Sequence, residues 1–134
     1  MSGWWFGYGA ALLVLGALDG LWLGVVARDF YRQEMGDMMA SSIRALPAAA
    51  FYLGYPVGLV TLALQPLPAS ASTALWRAAL FGLVAYGVYD LTNLATLRQW
   101  SVKLALVDMA WGTLASALAG AAAWYAMQPR AAVN

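Results

Sequence analysis

The chain is 134 residues long, 63% hydrophobic and 10% charged, with a net charge of +1, a balance that describes a single integral membrane domain over residues 1–134 and not a soluble core. It has neither cysteine nor histidine, which excludes disulfides, thiol nucleophiles, His-based zinc or haem sites and the commonest general base. So small a charge, with the basic residues scattered near helix ends, also excludes a nucleic-acid partner.

Four apolar stretches are long enough to cross a bilayer, which takes about 20 residues. They lie near 4–27, 46–64, 74–97 and 102–127, and predict an all-α, polytopic bundle of four transmembrane helices. The first lacks a basic leader and carries Asp19 in its apolar run, so it is read as a span and not as a signal peptide. In Asp19-Gly20-Leu21-Trp22 the acid and the indole, three residues apart, share one helix face. An ionisable group in a bilayer costs roughly 2.5–3.5 kcal/mol on insertion scales, which makes Asp19 a functional candidate. Gly16, Gly20 and Gly24 form a small-residue stripe suited to close packing.

Between the first two spans, Tyr31, Met35, Met38, Met39 and Ile43 recur at helical spacing among Arg28, Asp29, Arg32, Glu34 and Asp37. The pattern predicts an amphipathic helix in the membrane interface. It serves as a connector, or more sharply as a methionine-rich gate or lipid-contacting flap. In the second span Pro56 releases the carbonyl of Tyr52 from its helical hydrogen bond, predicting a kink or a ligand contact there. Gly54 and Gly58 continue the small-residue pattern, and Pro47 is ordinary helix-start chemistry. The third span holds Tyr86, Tyr89, Asp90, Thr92, Asn93 and Thr96, and the fourth repeats the first motif as Asp108-Met109-Ala110-Trp111, followed by Gly112, Thr113, Ser116 and Gly120. Short connections after the second and third spans predict antiparallel neighbours.

The loops after the first and third spans carry Arg28, Arg32, Arg44, Arg98 and Lys103, against Arg77 and Arg130 on the opposite side. The positive-inside rule therefore predicts both termini outside, in a multi-pass protein of a bacterial inner membrane. Trp4, Trp5, Trp76, Trp124 and Tyr125 at one boundary and Trp100 at the other read as interfacial belts, which leaves Trp22 and Trp111 unexplained. At 1.5 Å per residue, Asp19, Asp90 and Asp108 lie about 13, 12 and 7–8 Å from the inner side, with Trp111 at about 12 Å and Trp22 at about 9 Å. These depths predict reciprocal pairing between the first and fourth spans, each indole donating to the other helix's carboxyl, with the glycine stripes allowing the approach.

No basic residue sits inside the spans where it would pair with the three carboxylates. They must be protonated, share protons or hold a cation, and together they titrate as a coupled set. Asn93, Thr92, Thr96, Thr113, Tyr86 and Tyr89 supply further oxygens, a donor list that suits a hard cation such as sodium or magnesium at Asp19, Asp90 and Asp108 and does not suit a soft metal. The candidate binding residues are Asp19, Trp22, Tyr52, Tyr86, Tyr89, Asp90, Asn93, Asp108 and Trp111. No phosphate loop, dinucleotide fingerprint or nucleophile elbow is present, no cofactor is called for, and aspartate is the only candidate catalytic acid or base.

The runs Leu18-Asp19-Gly20-Leu21-Trp22-Leu23-Gly24, Phe30-Tyr31, Pro47-Ala48-Ala49 with Phe51-Tyr52, Tyr89 through Leu97 with Trp100, and Val107-Asp108-Met109-Ala110-Trp111-Gly112 together resemble domain-of-unknown-function family twenty-one seventy-seven. The resemblance spans roughly residues 10 to 120. It implies a small bacterial membrane protein of four helices and supplies no activity. Three functions fit these residues. One is a membrane protein whose acids bind a proton or cation coupled to a small solute, for which so short a chain predicts a homodimer. Another is a lipid-modifying enzyme or its accessory subunit using the same acids, with a lipid as ligand. The last is a structural or assembly subunit whose buried polar groups only lock the bundle.

Overall fold

The computed structural model describes residues 2–130, and among them the chain is helical without strands. Helix α1 (Ser2–Leu21) runs into a wide π-turn at Trp22–Val26. The short α2 (Arg28–Met35) follows, then α3 (Ala45–Gly58), which ends in a second π-turn at Leu59–Ala63, then α4 (Ala71–Thr96) and α5 (Val102–Met127). Counting the π-turns, four segments are long and apolar enough to cross a membrane, Gly3–Val26, Ala45–Ala63, Ala71–Thr96 and Val102–Met127. All begin and end within a few residues of the predicted stretches.

The serines before α4 and α5 start those helices. Ser70 Oγ accepts from the Thr73 amide at 3.2 Å and Ser101 Oγ from the Leu104 amide at 2.9 Å, each occupying an otherwise unsatisfied first-turn donor. Large apolar side chains cover the outside, with Leu13 74% and Leu62 72% exposed, a surface that only a lipid environment makes favourable. The centre is built from small residues. Helix α5 buries Ala105, Gly112, Ala115, Ser116, Ala119, Gly120 and Ala123, so its neighbours approach backbone to backbone.

Closest of all is the α4–α5 pair. A Cβ added at Gly82 would lie 2.5 Å from the Gly112 carbonyl oxygen, one at Gly112 would enter the Tyr86 ring, and one at Gly120 would collide with Ala78. Helix α1 packs on α5 as well, while α3 leans on α1 and meets α4 and α5 mainly through its π-turn and the Tyr55 side chain. The glycine stripe of α1 does not serve this packing. Gly16, Gly20 and Gly24 are exposed, with open space where their Cβ atoms would be, and so is Gly54. Glycines four residues apart share a face by helical geometry, and here that face is turned to lipid. The approach of α5 relies instead on its own Gly112, Ser116 and Gly120, and chiefly toward α4.

The amphipathic segment is shorter than its pattern predicts. Helix α2 stops at Met35 because Gly36 takes φ 53°, a conformation open to glycine and costly for other residues, and a single 3-10 turn at Gly36–Met38 is all that follows before α3. Met35 and Met38 pack with Tyr31 over Trp100, Leu104 and Ala105, whereas Met39 and Ile43 are exposed. Trp100 is correspondingly not a belt residue but buried beneath α2. The opposite boundary keeps its belt, with Trp5, Trp76 and Tyr125 exposed, the Trp4 indole donating to Thr61 Oγ at 3.1 Å and the Trp124 indole to the Pro68 carbonyl at 2.7 Å. Pro56 lies inside α3 and is buried, and the irregularity of that span falls at the π-turn after Gly58.

Candidate functional site: three intramembrane acids

All three acids turn inward, with Asp19 4%, Asp90 0% and Asp108 9% exposed. Half of the predicted reciprocal pairing is present. The Trp111 indole donates to Asp19 Oδ1 at 2.7 Å, joining α5 to α1 at the level that the helical rise places them. The other half is relayed. Trp22 Nε1 donates to the Tyr31 hydroxyl at 3.1 Å, and Tyr31 in turn donates to Asp108 Oδ1 at 2.7 Å, so the phenol of α2 stands between the indole and the acid expected to meet directly. The two indoles stack on each other, centroids 4.5 Å apart and planes within 5°. That sandwich holds the donor of Asp19 and the first link of the Asp108 chain as one unit.

Tyr31 is the residue that reasoning from the sequence passed over. It carries the buried face of α2, and a second bond ties that helix down, Ser101 Oγ donating to Glu34 Oε2 at 2.6 Å beside the N-terminus of α5. Lys103 Nζ sits 5.5 Å over the Phe30 ring, a cation–π contact on the same helix. Burial, aided by the Asp108 carboxyl, pushes the Tyr31 phenol above its ordinary value and outweighs the Trp22 donor, which lowers it. A raised folded value means that this contribution is complete below the unfolded value of about 10 and is lost as the pH climbs beyond it. The stability difference between wild type and Tyr31→Phe should therefore be constant from pH 6 to 9 and shrink above about pH 10, as read by unfolding in detergent; a difference that grows with alkalinity would contradict the assignment.

Asp90 stands apart. Both of its carboxyl oxygens are buried without a hydrogen-bond partner, and the buried indole nitrogen of Trp100 likewise has none. Its polar neighbours are Asp108 and that indole. Tyr52 lies beside Asp19, and the Tyr86 ring packs against Gly112 and edge-on to Tyr55 at 6.0 Å. The Tyr55 hydroxyl shares a 2.7 Å hydrogen bond with Ser116 Oγ, a partly buried polar contact between α3 and α5 that helical patterning alone did not single out.

The remaining oxygens do not reach the acids. Thr92 donates to the Val88 and Tyr89 carbonyls, Thr96 to that of Thr92 and Thr113 to that of Met109, each hydroxyl spent on its own helix. Tyr89 is exposed, edge-on to Trp100 at 5.6 Å, with Asn93 beside it. Among the described residues no three acidic side chains gather into a group able to hold a metal ion. The acids divide instead into Asp19, engaged by an indole, and the neighbours Asp108 and Asp90, of which only Asp108 accepts a hydrogen bond.

Removing one donor tests the engaged acid. Trp111→Phe keeps a ring on Trp22 and leaves Asp19 Oδ1 without its indole, so it should cost about 1–3 kcal/mol of stability in detergent. A variant as stable as wild type would show that the bond contributes nothing to the fold.

Residues 4–125 match the profile of a protein family described as Predicted membrane protein (DUF2177). No curated protein and no solved structure is significantly similar to the chain.

Proposed function

We propose, for a chain that belongs to the DUF2177 family of predicted membrane proteins, that Asp90 is an intramembrane proton-binding group whose charge is coupled to the seating of α2. The observation that carries this reading is the complete burial of a carboxyl with no hydrogen-bond partner on either oxygen. A carboxylate anion held that way, beside a second acid and with no cation near it, is far costlier than the neutral acid. A proton on Asp90 removes the penalty. It also supplies an O–H that Asp108, the neighbouring acid, is placed to accept.

Asp108 links that proton to α2, since its Oδ1 is the acceptor of Tyr31. Loss of the proton from Asp90 removes the O–H that Asp108 would accept and leaves a buried charge beside that acid, a cost relieved by admitting water from the α2 face. Asp19, satisfied by Trp111 and flanked by Tyr52, serves as the lock between α1 and α5. The purely structural reading draws on the same two engaged acids but leaves Asp90 without a role.

The pH dependence of stability tests the proposal. A neutral Asp90 in the fold gives up its proton when unfolding exposes it above pH about 4, so stability falls as pH rises, by at most about 1.4 kcal/mol per unit for one proton. Melting in detergent between pH 5 and 9 should follow that slope in wild type, and Asp90→Asn, which keeps the shape without ionising, should flatten it. A wild-type curve that ignores pH and coincides with Asp90→Asn would leave the acids a packing role only.

The charge asymmetry of the loops supports an orientation with α2 on the cytoplasmic face of a bacterial inner membrane and both termini outside. Single cysteines at Ser2 and at Asn134, the latter outside the described residues, should react with an impermeant reagent in intact cells. Labelling only after lysis would reverse the orientation.

A further inference from the structure

On the terminal face of the bundle, opposite α2, a groove of about 610 Å³ opens between the π-turn of the second span and the first half of α4. Leu62 and Pro66 form one wall, Trp76, Leu80 and Ala85 the other, and Arg77 stands at its end. From Trp76 to Ala85 the groove follows α4 for about 13 Å, close to the ~15 Å hydrocarbon depth of one leaflet. It exists because α3 meets α4 mainly through its π-turn, so the two helices do not close side by side.

Arg77 is half-buried at this rim. Its guanidinium makes one long hydrogen bond, 3.5 Å to the Pro66 carbonyl, and lies 5.9 Å from the Trp76 ring. The chain has six acidic residues, Asp19, Asp29, Glu34, Asp37, Asp90 and Asp108, and every one belongs to the half of the bundle that carries α2. No acidic side chain is therefore available to Arg77. A guanidinium in the headgroup zone, above an apolar groove one leaflet deep, complements the phosphate of a glycerol lipid whose acyl chains enter the bilayer.

We infer that this groove is a phospholipid site, with one acyl chain lying between Leu62 and Leu80 and the headgroup phosphate bound by Arg77. The inference is independent of the proton-binding reading, which concerns the other half of the membrane. Arg130, on the same face, lies 4.4 Å from the Phe6 ring and outside the groove, and provides the control cation.

The test is native mass spectrometry of the detergent-purified protein with dioleoylphosphatidylglycerol, and separately with dioleoylglycerol, which has the same chains and no phosphate. Wild type should retain one phosphatidylglycerol and dioleoylglycerol about tenfold more weakly. Arg77→Gln should lose that preference, Arg77→Lys should recover part of it, Arg130→Gln should keep it, and Ala85→Leu should weaken both lipids by filling the channel. Equal binding by Arg77→Gln and wild type, or equal retention of the two lipids by wild type, would overturn the phosphate contact. Unchanged binding in Ala85→Leu would overturn the groove. Should Arg77→Gln fail to fold, Arg77→Lys and Ala85→Leu against wild type give the same decision.

Discussion

Gly112→Leu is expected to abolish the folded protein. A Cβ at this position would already lie inside the Tyr86 ring, and the Gly112 carbonyl is itself in close approach to Gly82. Overpacking a filled core typically costs about 1–3 kcal/mol when side chains can shift. Here the obstacle is partly backbone, and Tyr86 is wedged against Tyr55, which is tied to Ser116, so the helices themselves must separate. Opening the α4–α5 contact pulls Asp90 away from Asp108 and exposes both. Gly16→Leu, a same-sized change on the lipid-facing stripe with open space around it, should leave the protein monodisperse and its melting temperature nearly unchanged. Size-exclusion profiles of the two variants decide it, and a well-folded Gly112→Leu would mean that the tight α4–α5 contact is not what holds the bundle.

Asp108→Leu should release α2. The acid is the acceptor for Tyr31, whose oxygen in turn receives the Trp22 indole. Leucine would strand a buried phenol donor at a cost of about 1–3 kcal/mol and remove the polar partner of Asp90. With Tyr31 cut loose from α5, α2 is held by the Trp22–Tyr31 and Ser101–Glu34 hydrogen bonds, the Lys103–Phe30 contact and the apolar contacts of Met35 and Met38, too little to keep eight residues docked at all times. Arg28 and Arg32 are exposed on this helix, so limited trypsin digestion reads the release directly. Cleavage in this segment should be many times faster in Asp108→Leu than in wild type, and close to wild type in Asp19→Leu, which loses the bond to Trp111 on the far side of the indole stack. Equal protection of α2 in all three proteins would remove Asp108 from its role as anchor.

The four spans and the Trp111–Asp19 bond were legible in the sequence because both rest on quantities that a helix conserves. Apolar length against bilayer thickness sets the spans, and a constant rise per residue puts Asp19 and Trp111 at one depth. The second pair was misread for an equally physical reason. Depth says which groups are level, not what comes between them, and Tyr31 arrives from a separate helix whose docking depends on Ser101, Trp100 and Leu104. Its signal was faint but present, a hydroxyl on the apolar face of an amphipathic turn, where a leucine would pack without needing a partner. The glycines show the same limit. Periodicity put Gly16, Gly20 and Gly24 on one face, yet small size suits a tight interface and an open groove alike, and only the assembled bundle turned that face outward. The two π-turns carry no propensity signal, since each adds one residue per turn without changing composition. Trp100 looked like a belt residue because it follows the end of a span; what buries it is α2, folded back across the helix ends.

Whether Asp90 holds a proton within the fold can be read directly from the infrared carbonyl stretch of a protonated carboxylic acid, recorded on the purified protein in lipid at pH 7 and compared with Asp90→Asn. The wild-type spectrum should contain a protonated-carboxyl band that Asp90→Asn lacks and Asp19→Asn keeps, at a pH where a solvated aspartate is fully ionised. A wild-type spectrum without that band, or a band that Asp90→Asn leaves untouched, would contradict proton binding at Asp90.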